Sequence, residues 1–447
     1  MRIERDYLGE YQLDDVLYGI NTARAAENFA LDHHMTNPDL IKAIVLVKKA
    51  AALTYQKLKV GKPGVYSAIA SACDELLSGA HSDAFVTKAL QGGAGTSTNM
   101  NVNEVLANLA IMKLGGTPGD YSLVHPLDDV NRGQSTNDVY PTALRIAAIA
   151  QLRLLSDACA SLQQALQMKE NEYGDVKKLG RTELMDAVPI TMGETFGAYA
   201  QAIARDRWRI YKVEERLRQV NIGGTAVGLG TAAQRQYRFT VIEELRKLTD
   251  MGLAAAEYPM DITQNNDVFV EVSGMLKANA VNLMKIANDL RLMNSGPHGG
   301  LGEITLPALQ QGSSIMPGKI NPVIPEMVIQ VAMRVIANDK AIDMASAHGE
   351  FELNAFLPLI ADSLLESLSL LNSAVRLFQT KCIENLIVNT ETCERILEHS
   401  LAFATEYITQ FGYDRVAAIL KECNGDPAKV KAALCALKQD SETSSCE

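Results

Sequence analysis

Short hydroxyls, amides and backbone N–H groups converging on one small space can hold a carboxylate, and three segments of this chain are composed for that task. They are Gly92-Gly93-Ala94-Gly95-Thr96-Ser97-Thr98-Asn99, Gly133-Gln134-Ser135-Thr136-Asn137-Asp138, and Gly312-Ser313-Ser314-Ile315-Met316-Pro317-Gly318-Lys319-Ile320-Asn321-Pro322. Any one of them reads as well as a turn leading into a helix cap, because the same residue types dominate turns. The third is harder to reduce to a turn, since Lys319 and Asn321 place a cation and an amide beside two serines.

Other chemistries have less support. The seven histidines form no His-x-x-x-His or His-Glu pair on an expected helix, so no metal site is expected and His33-His34 reads as a solvated loop pair. Seven cysteines, Cys73, Cys159, Cys382, Cys393, Cys423, Cys435 and Cys446, are odd in number and lack Cys-x-x-Cys spacing, as expected of reduced structural thiols. A net charge of −11 argues against nucleic acid as a partner. No Gly-x-Gly-x-x-Gly follows a strand pattern, which disfavours a Rossmann domain. No long charge-free apolar run is available to span a bilayer. The mixed-charge start, Met1-Arg2-Ile3-Glu4-Arg5-Asp6, does not read as a signal peptide, and a soluble cytoplasmic protein is expected.

The three polar segments interrupt a helical pattern. Asn37-Pro38 supplies a capping side chain and a ring fixed at helical φ, and predicts a helix to about Leu58. Pro141 opens apolar spacing that continues to Tyr173-Gly174. Thr191-Met192-Gly193-Glu194 has the capping-box spacing and predicts a helix to Val220. Asn266 to Asn294, Pro325 to Ala345 and Asn354 to Cys382 complete the long helices. Rods near thirty residues are about 45 Å long and bury their apolar stripes only by lying side by side or against another subunit. The polar tail from Lys438 to Glu447 is expected to be disordered. With 447 residues, the chain exceeds what one core usually organises.

The loop from Gly312 to Pro322, with its serine pair, Met316-Pro317 and Lys-x-Asn, resembles the signature of the aspartase/fumarase superfamily. The other two segments resemble that family's remaining substrate regions, and Asp6-Tyr7-Leu8-Gly9-Glu10 through Glu27-Asn28-Phe29 looks like aspartases in particular. The resemblance runs from the N-terminus to about residue 420. It implies an all-α, three-domain fold around a central long-helix bundle, taken here as 1–135, 136–388 and a short C-terminal domain at 389–447. It further implies a homotetramer with active sites shared between subunits, a small amino acid or dicarboxylate as substrate, and no cofactor. By the same resemblance Ser313 is the base that removes a proton beside a carboxylate. Thr96, Ser135, Thr136 and Ser314 would stabilise the resulting aci-carboxylate, Lys319 and Asn321 would hold the second carboxylate, and Asn137 would lie near the leaving group.

The chain departs from the family pattern at Gly180-Arg181-Thr182-Glu183, where aspartases and fumarases usually have histidine after threonine. Thr182 and Glu183 are retained as substrate-binding candidates, with Arg132 and Glu326 as residues behind them. In fumarases that histidine is partnered by a glutamate that aligns with Glu326. Two neighbouring carboxylates must share a proton or be neutralised by a cation, which Arg132 or the substrate itself could supply. The alternative for Glu183 is a capping carboxylate at a helix start or a surface residue. A further departure is Gly228-Leu229-Gly230-Thr231, where Gly-Thr-Gly-Leu is usual.

Aspartate ammonia-lyase chemistry is therefore the leading expectation. Its rivals are a C–N lyase for a cationic or heteroaromatic amino acid or betaine, then a fumarate hydratase, and lastly a non-catalytic protein of this fold.

Overall fold

A computed structural model describes the backbone of residues 1–444 and the side chains up to Gln439. The chain divides into two compact units, Met1–Asp157 with Arg207–Ala280 and Val331–Asn372, and Ala158–Asp206 with Val281–Gln330 and Ser373–Glu447. The fold is all-α apart from two hairpins and some two-residue strands.

The first unit begins with the hairpin β1 (Arg2–Asp6) and β2 (Gly9–Leu13), paired antiparallel. Four helices follow, α1 (Ile20–Asn28), α2 (Pro38–Lys57), α3 (Val65–Leu77) and α4 (Thr96–Lys113). Helix α2 starts where its capping residues predict, with the Asn37 side chain accepting from the Asp39 N–H at 2.8 Å. It packs on α3 and on a later helix, Arg235–Thr249, while α3 packs on α4. Ile44, Ile69 and Leu106 are among its largest fully buried side chains, each worth ~1.5–3 kcal/mol relative to exposure.

Helix α4 was not legible as a helix because it has no polar face. It is buried from Thr98 to Ile111, including Asn99, Asn101, Asn103, Glu104 and Asn108. Those groups are tolerated in the interior because they anchor other segments. Glu104, for instance, accepts from the N–H groups of Gly19, Asn21 and Thr22 and from the Thr22 hydroxyl, which holds a carboxylate at the N-terminus of α1.

The next helix, α5 (Thr136–Glu172), begins before the expected proline, so that Pro141 lies inside it. Proline offers no N–H to the carbonyl of Asn137. Instead, the Asn221 amide donates to that oxygen at 3.0 Å, and the helix can start one turn early.

In the second unit β3 (Lys177–Thr182) and β4 (Met185–Thr191) form a hairpin that runs directly into α6 (Met192–Leu217). The capping box at its start is made in both directions. The Thr191 N–H donates to Glu194 at 2.7 Å, and the Glu194 N–H to the Thr191 hydroxyl at 3.0 Å. Across the two units follow α7 (Arg235–Thr249), the six-residue α8 (Pro259–Gln264), α9 (Asp267–Met293), α10 (Val323–Ala347) and α11 (Leu357–Phe378), of which α9, α10 and α11 are the three expected after residue 260, within a few residues at each end.

Three short helices, α12 (Thr390–Glu398), α13 (Ile408–Phe411) and α14 (Tyr413–Glu422), and the longer α15 (Pro427–Ser444) are the last helices among the described residues. The expected disorder from Lys438 is corrected as far as Ser444, because α15 buries Val430 and Leu434 against Ala404 and Val416 and simply propagates. The last three residues, Cys446 among them, lie outside the described ones. The six other cysteines are free thiols. Among the described residues no helix is long and apolar enough to cross a membrane.

Candidate active site

In the first unit, two of the three polar segments meet. Thr96 opens α4 after Gly95, whose φ of 91° is left-handed, and a Cβ at Gly95 would sit 2.3 Å from the Tyr140 ring. Only glycine lets the turn close this tightly. The Thr96 hydroxyl is exposed and donates to the Gly93 carbonyl at 2.7 Å. Three residues on, the Asn99 amide donates to the Thr136 hydroxyl and to Asn131, both at 3.2 Å, tying the first segment to the second.

The second segment is pinned from below by a buried carboxylate. Asp138 accepts from the Ser135 N–H on one oxygen and from the N–H groups of Gly223 and Thr225 on the other, each at 2.9 Å. Burial pushes its carboxyl up to about 6, against the pull of those N–H groups and of Lys48. Lys48, also wholly buried, donates to Asn131 at 2.8 Å and Gln134 at 3.0 Å. Burial lowers its ammonium to about 7, with Asp138 opposing. Neither residue belongs to the set inferred from sequence. The only signal was a charged residue in an otherwise apolar helical stripe at Lys48 and directly after Asn137 at Asp138.

Asn137 is fixed by its amide donating to the Ala226 carbonyl at 2.8 Å. That brings in the Gly223–Thr231 segment with its atypical Leu229, which is 63% exposed. The backbone there cannot vary freely, because a Cβ at Gly228 would lie 2.3 Å from the Met260 nitrogen. Arg132 turns its guanidinium to the Tyr66 hydroxyl at 3.3 Å, and its carbonyl accepts from Tyr55. Arg132 is thus committed to the stacked Tyr55 and Tyr66 rings.

In the second unit the signature loop is closed by its own backbone. The Gly312 N–H donates to the Lys319 carbonyl and the Asn321 amide to the Gly312 carbonyl, both at 2.8 Å. Within that ring the Ser313 hydroxyl accepts from the N–H groups of Ile315 at 3.2 Å and Met316 at 3.0 Å. Two oriented N–H dipoles on one oxygen favour its charged form, which is what a serine base requires. Ser314 and Lys319 are exposed. Lys319 and Asn321 line a cavity of about 810 Å³ together with Arg291 and Glu326. Glu326 has a cation of its own there, Arg291 at 3.7 Å.

Glu183 is not at a helix start, which corrects the capping reading, but it is exposed on the surface. With Leu184 it forms the two-residue turn between β3 and β4, Thr182 pairing with Met185. Their φ angles are 55° and 64°, left-handed values that cost roughly 1–2 kcal/mol per non-glycine residue. The turn type matches the hairpin's twist, and Thr182 and Glu183 are exposed on it. Glu183 borders a second cavity of about 530 Å³ with Lys178, Arg181, Tyr199, Lys285 and Asp289. Behind it, Glu303 is fully buried between Lys178 at 3.0 Å and Arg181 at 2.9 Å, which fixes β3.

The comparisons with known proteins agree with this chemistry. A family model described as a lyase matches residues 9–337. The chain belongs to the aspartase/fumarase lyase family. Aspartate ammonia-lyases from Helicobacter pylori and Bacillus subtilis are each 43% identical to it, over 94% of this chain and 91% and 89% of theirs. A fumarate lyase/delta crystallin from Brucella melitensis, solved bound to cobalt, superposes with a TM-score of 0.93 at 44% identity, covering 97% of this chain and 95% of that one. A class II fumarase from Schistosoma mansoni does so with the same TM-score at 31% identity, covering 97% and 95%. The loop from Gly312 to Pro322 and the two other polar segments fall in different compact units of the chain.

Proposed function

We propose that this protein is an aspartate ammonia-lyase, converting L-aspartate to fumarate and ammonia, and that it works as a cytoplasmic homotetramer whose sites draw on more than one subunit. The likeness to aspartate ammonia-lyases, at 42–44% identity over 94% of the chain, carries the choice of substrate. The exposure of Thr96, Thr182, Glu183, Ser314 and Lys319 supports a site completed by assembly.

In this reading Ser313, as alkoxide held by the Ile315 and Met316 N–H groups, takes the proton from the carbon beside one carboxylate. The electron pair moves onto that carboxylate, giving an aci-carboxylate with two negative charges. Thr96, Ser135, Thr136 and Ser314 donate to it more strongly than to the substrate, and this difference lowers the barrier. The pair then returns to form the carbon–carbon double bond, the C–N bond breaks, and nitrogen leaves with its electrons beside Asn137. Lys319 and Asn321 hold the other carboxylate. No step calls for a metal or a cofactor.

A second reading rests on Glu183, a carboxylate where the family pattern has histidine. It would receive a cationic or heteroaromatic group, making the protein a C–N lyase for such an amino acid or betaine. Ultraviolet absorbance of fumarate, followed with L-aspartate, L-malate and a panel of cationic amino acids, separates the two. Growth of the fumarate band with aspartate is the expected result. Silence with aspartate and turnover of a cationic amino acid would replace the first reading with the second.

A further inference from the structure

His33, His34 and Asp362 meet in the first unit across 328 residues of sequence. Both rings turn Nε2 toward the one carboxylate, His33 at 3.2 Å from Oδ2 and His34 at 2.5 Å from Oδ1. The three ligand-type atoms lie within 4.8 Å of one another. We propose that these residues form a divalent transition-metal site, two imidazoles and one carboxylate on one face of the ion, stapling the connection between α1 and α2 to α11.

The donor set selects the ion. Two neutral imidazoles and a carboxylate suit zinc, cobalt(II) or nickel(II), whereas magnesium and calcium prefer all-oxygen shells. Donors at about 2.0–2.2 Å from a tetrahedral zinc lie about 3.3–3.6 Å from one another; His33 at 3.2 Å from the carboxylate is near that spacing, and His34 at 2.5 Å moves outward on loading. Nitrogen must offer its lone pair, so in the loaded site each imidazole binds through Nε2 and carries its proton on Nδ1.

The scaffold holds the three donors in place before any ion arrives. The His33 carbonyl accepts from Lys88 Nζ at 2.7 Å and the His34 carbonyl from the Ala89 N–H at 3.1 Å. The two rings lie 3.9 Å apart, centroid to centroid. Asp362 follows buried Ile360 and Ala361 on α11 and is only 14% exposed, whereas His34 is 51% exposed. The open side admits the ion and lets water complete its shell. Two residues past His34, the Thr36 hydroxyl bonds to the Thr87 carbonyl at 3.1 Å and to the Thr98 hydroxyl at 3.2 Å. The staple therefore braces the backbone beside the segment that carries Thr96, and it does so without touching the reacting atoms.

The test uses untagged, chelator-stripped full-length protein titrated with cobalt(II). The expected result is one equivalent bound per chain, ligand-field absorption in the visible, displacement by zinc but not by magnesium, and a Tm higher by a few degrees than in chelator. Asp362→Asn and His34→Gln should keep the wild-type circular dichroism in chelator and weaken cobalt binding by roughly 100-fold or more, beyond the ~10–100-fold that outer-shell partners cost. They should also lose the rise in Tm. Absence of cobalt and zinc binding, or binding of unchanged affinity in both variants, would overturn the site.

Discussion

Two parts of the molecule proposed to serve the same substrate are held in opposite ways. The segment from Asn131 to Asp138 is fixed by buried charge, Lys48 from one side and Asp138 from within, and Asp138 ties it to the Gly223 and Thr225 backbone of a neighbouring segment. The loop from Gly312 to Pro322 is exposed over most of its length and is tied chiefly by bonds to itself. The difference fits the work assigned to each. Donors that meet developing charge are effective when they need no reorientation, whereas a base that closes over its substrate needs freedom until it arrives. Stability and activity should therefore separate between the two regions.

The largest effect belongs to the loop. Ser313→Ala is expected to lower kcat on L-aspartate on the order of 10³-fold or more, since it removes the proton acceptor, while Tm stays at the wild-type value. A variant with near-normal turnover would remove Ser313 from the reaction. Asp138→Ala should do the reverse in emphasis. It strips the N–H groups of Gly223 and Thr225 of their acceptor and leaves Lys48 buried without its countercharge, for a loss of ~3 kcal/mol by urea unfolding. Activity would fall with it. An unchanged unfolding midpoint would mean that the segment is not held as described.

The Lys48 ammonium sharpens the contrast through pH. Its folded value of about 7 lies below that of an unfolded lysine at ~10.4. Between these the unfolded chain carries a proton that the folded chain has released, so this group makes stability rise with pH across the window, by up to ~1.4 kcal/mol per pH unit. Asp138 acts with the opposite sign at lower pH. Raised to about 6 from ~3.9, it makes stability fall as pH rises through that interval. Urea unfolding from about pH 4 to 10 should show a minimum in stability between the two values. Lys48→Met should flatten the alkaline rise, and a profile identical to wild type would break the assignment.

How far the sequence carried these conclusions differs by element. Helices α2, α6 and α9 were legible because each has one apolar stripe and a capping signal at its start, and the Thr191–Glu194 box is made as written. Helix α4 was not, because a helix buried on all sides has no period to read. The signature loop was legible as a motif. The N–H groups aimed at Ser313 were not, since they depend on the path of the backbone. Glu183 was recognisable as a departure, yet its place on a strained hairpin turn was hidden by the absence of the glycine or asparagine that usually marks such turns. Lys48, Asp138 and the meeting of His33 and His34 with Asp362 join residues distant in sequence, and no local spacing announces them.

The smallest expected effect probes the loop's freedom directly. Gly318 has a φ of 79°, and a Cβ there would meet nothing within 4 Å. Gly312 differs, since a Cβ would press to 2.4 Å from the Lys319 carbonyl and force apart the neck of the loop. Gly318→Ala therefore tests conformation without a clash. Its left-handed backbone costs an alanine about 1 kcal/mol, a cost borne by whichever loop state needs that φ. If the closed, reacting state needs it as much as the open one, kcat stays near wild type and Tm falls slightly. If closure depends on moving through conformations open only to glycine, kcat drops several-fold while Tm barely changes. The second outcome is expected, because an exposed loop closed only on itself can lose 1 kcal/mol locally without unfolding the helices beside it. An unchanged kcat would place the flexibility of the loop elsewhere than at Gly318.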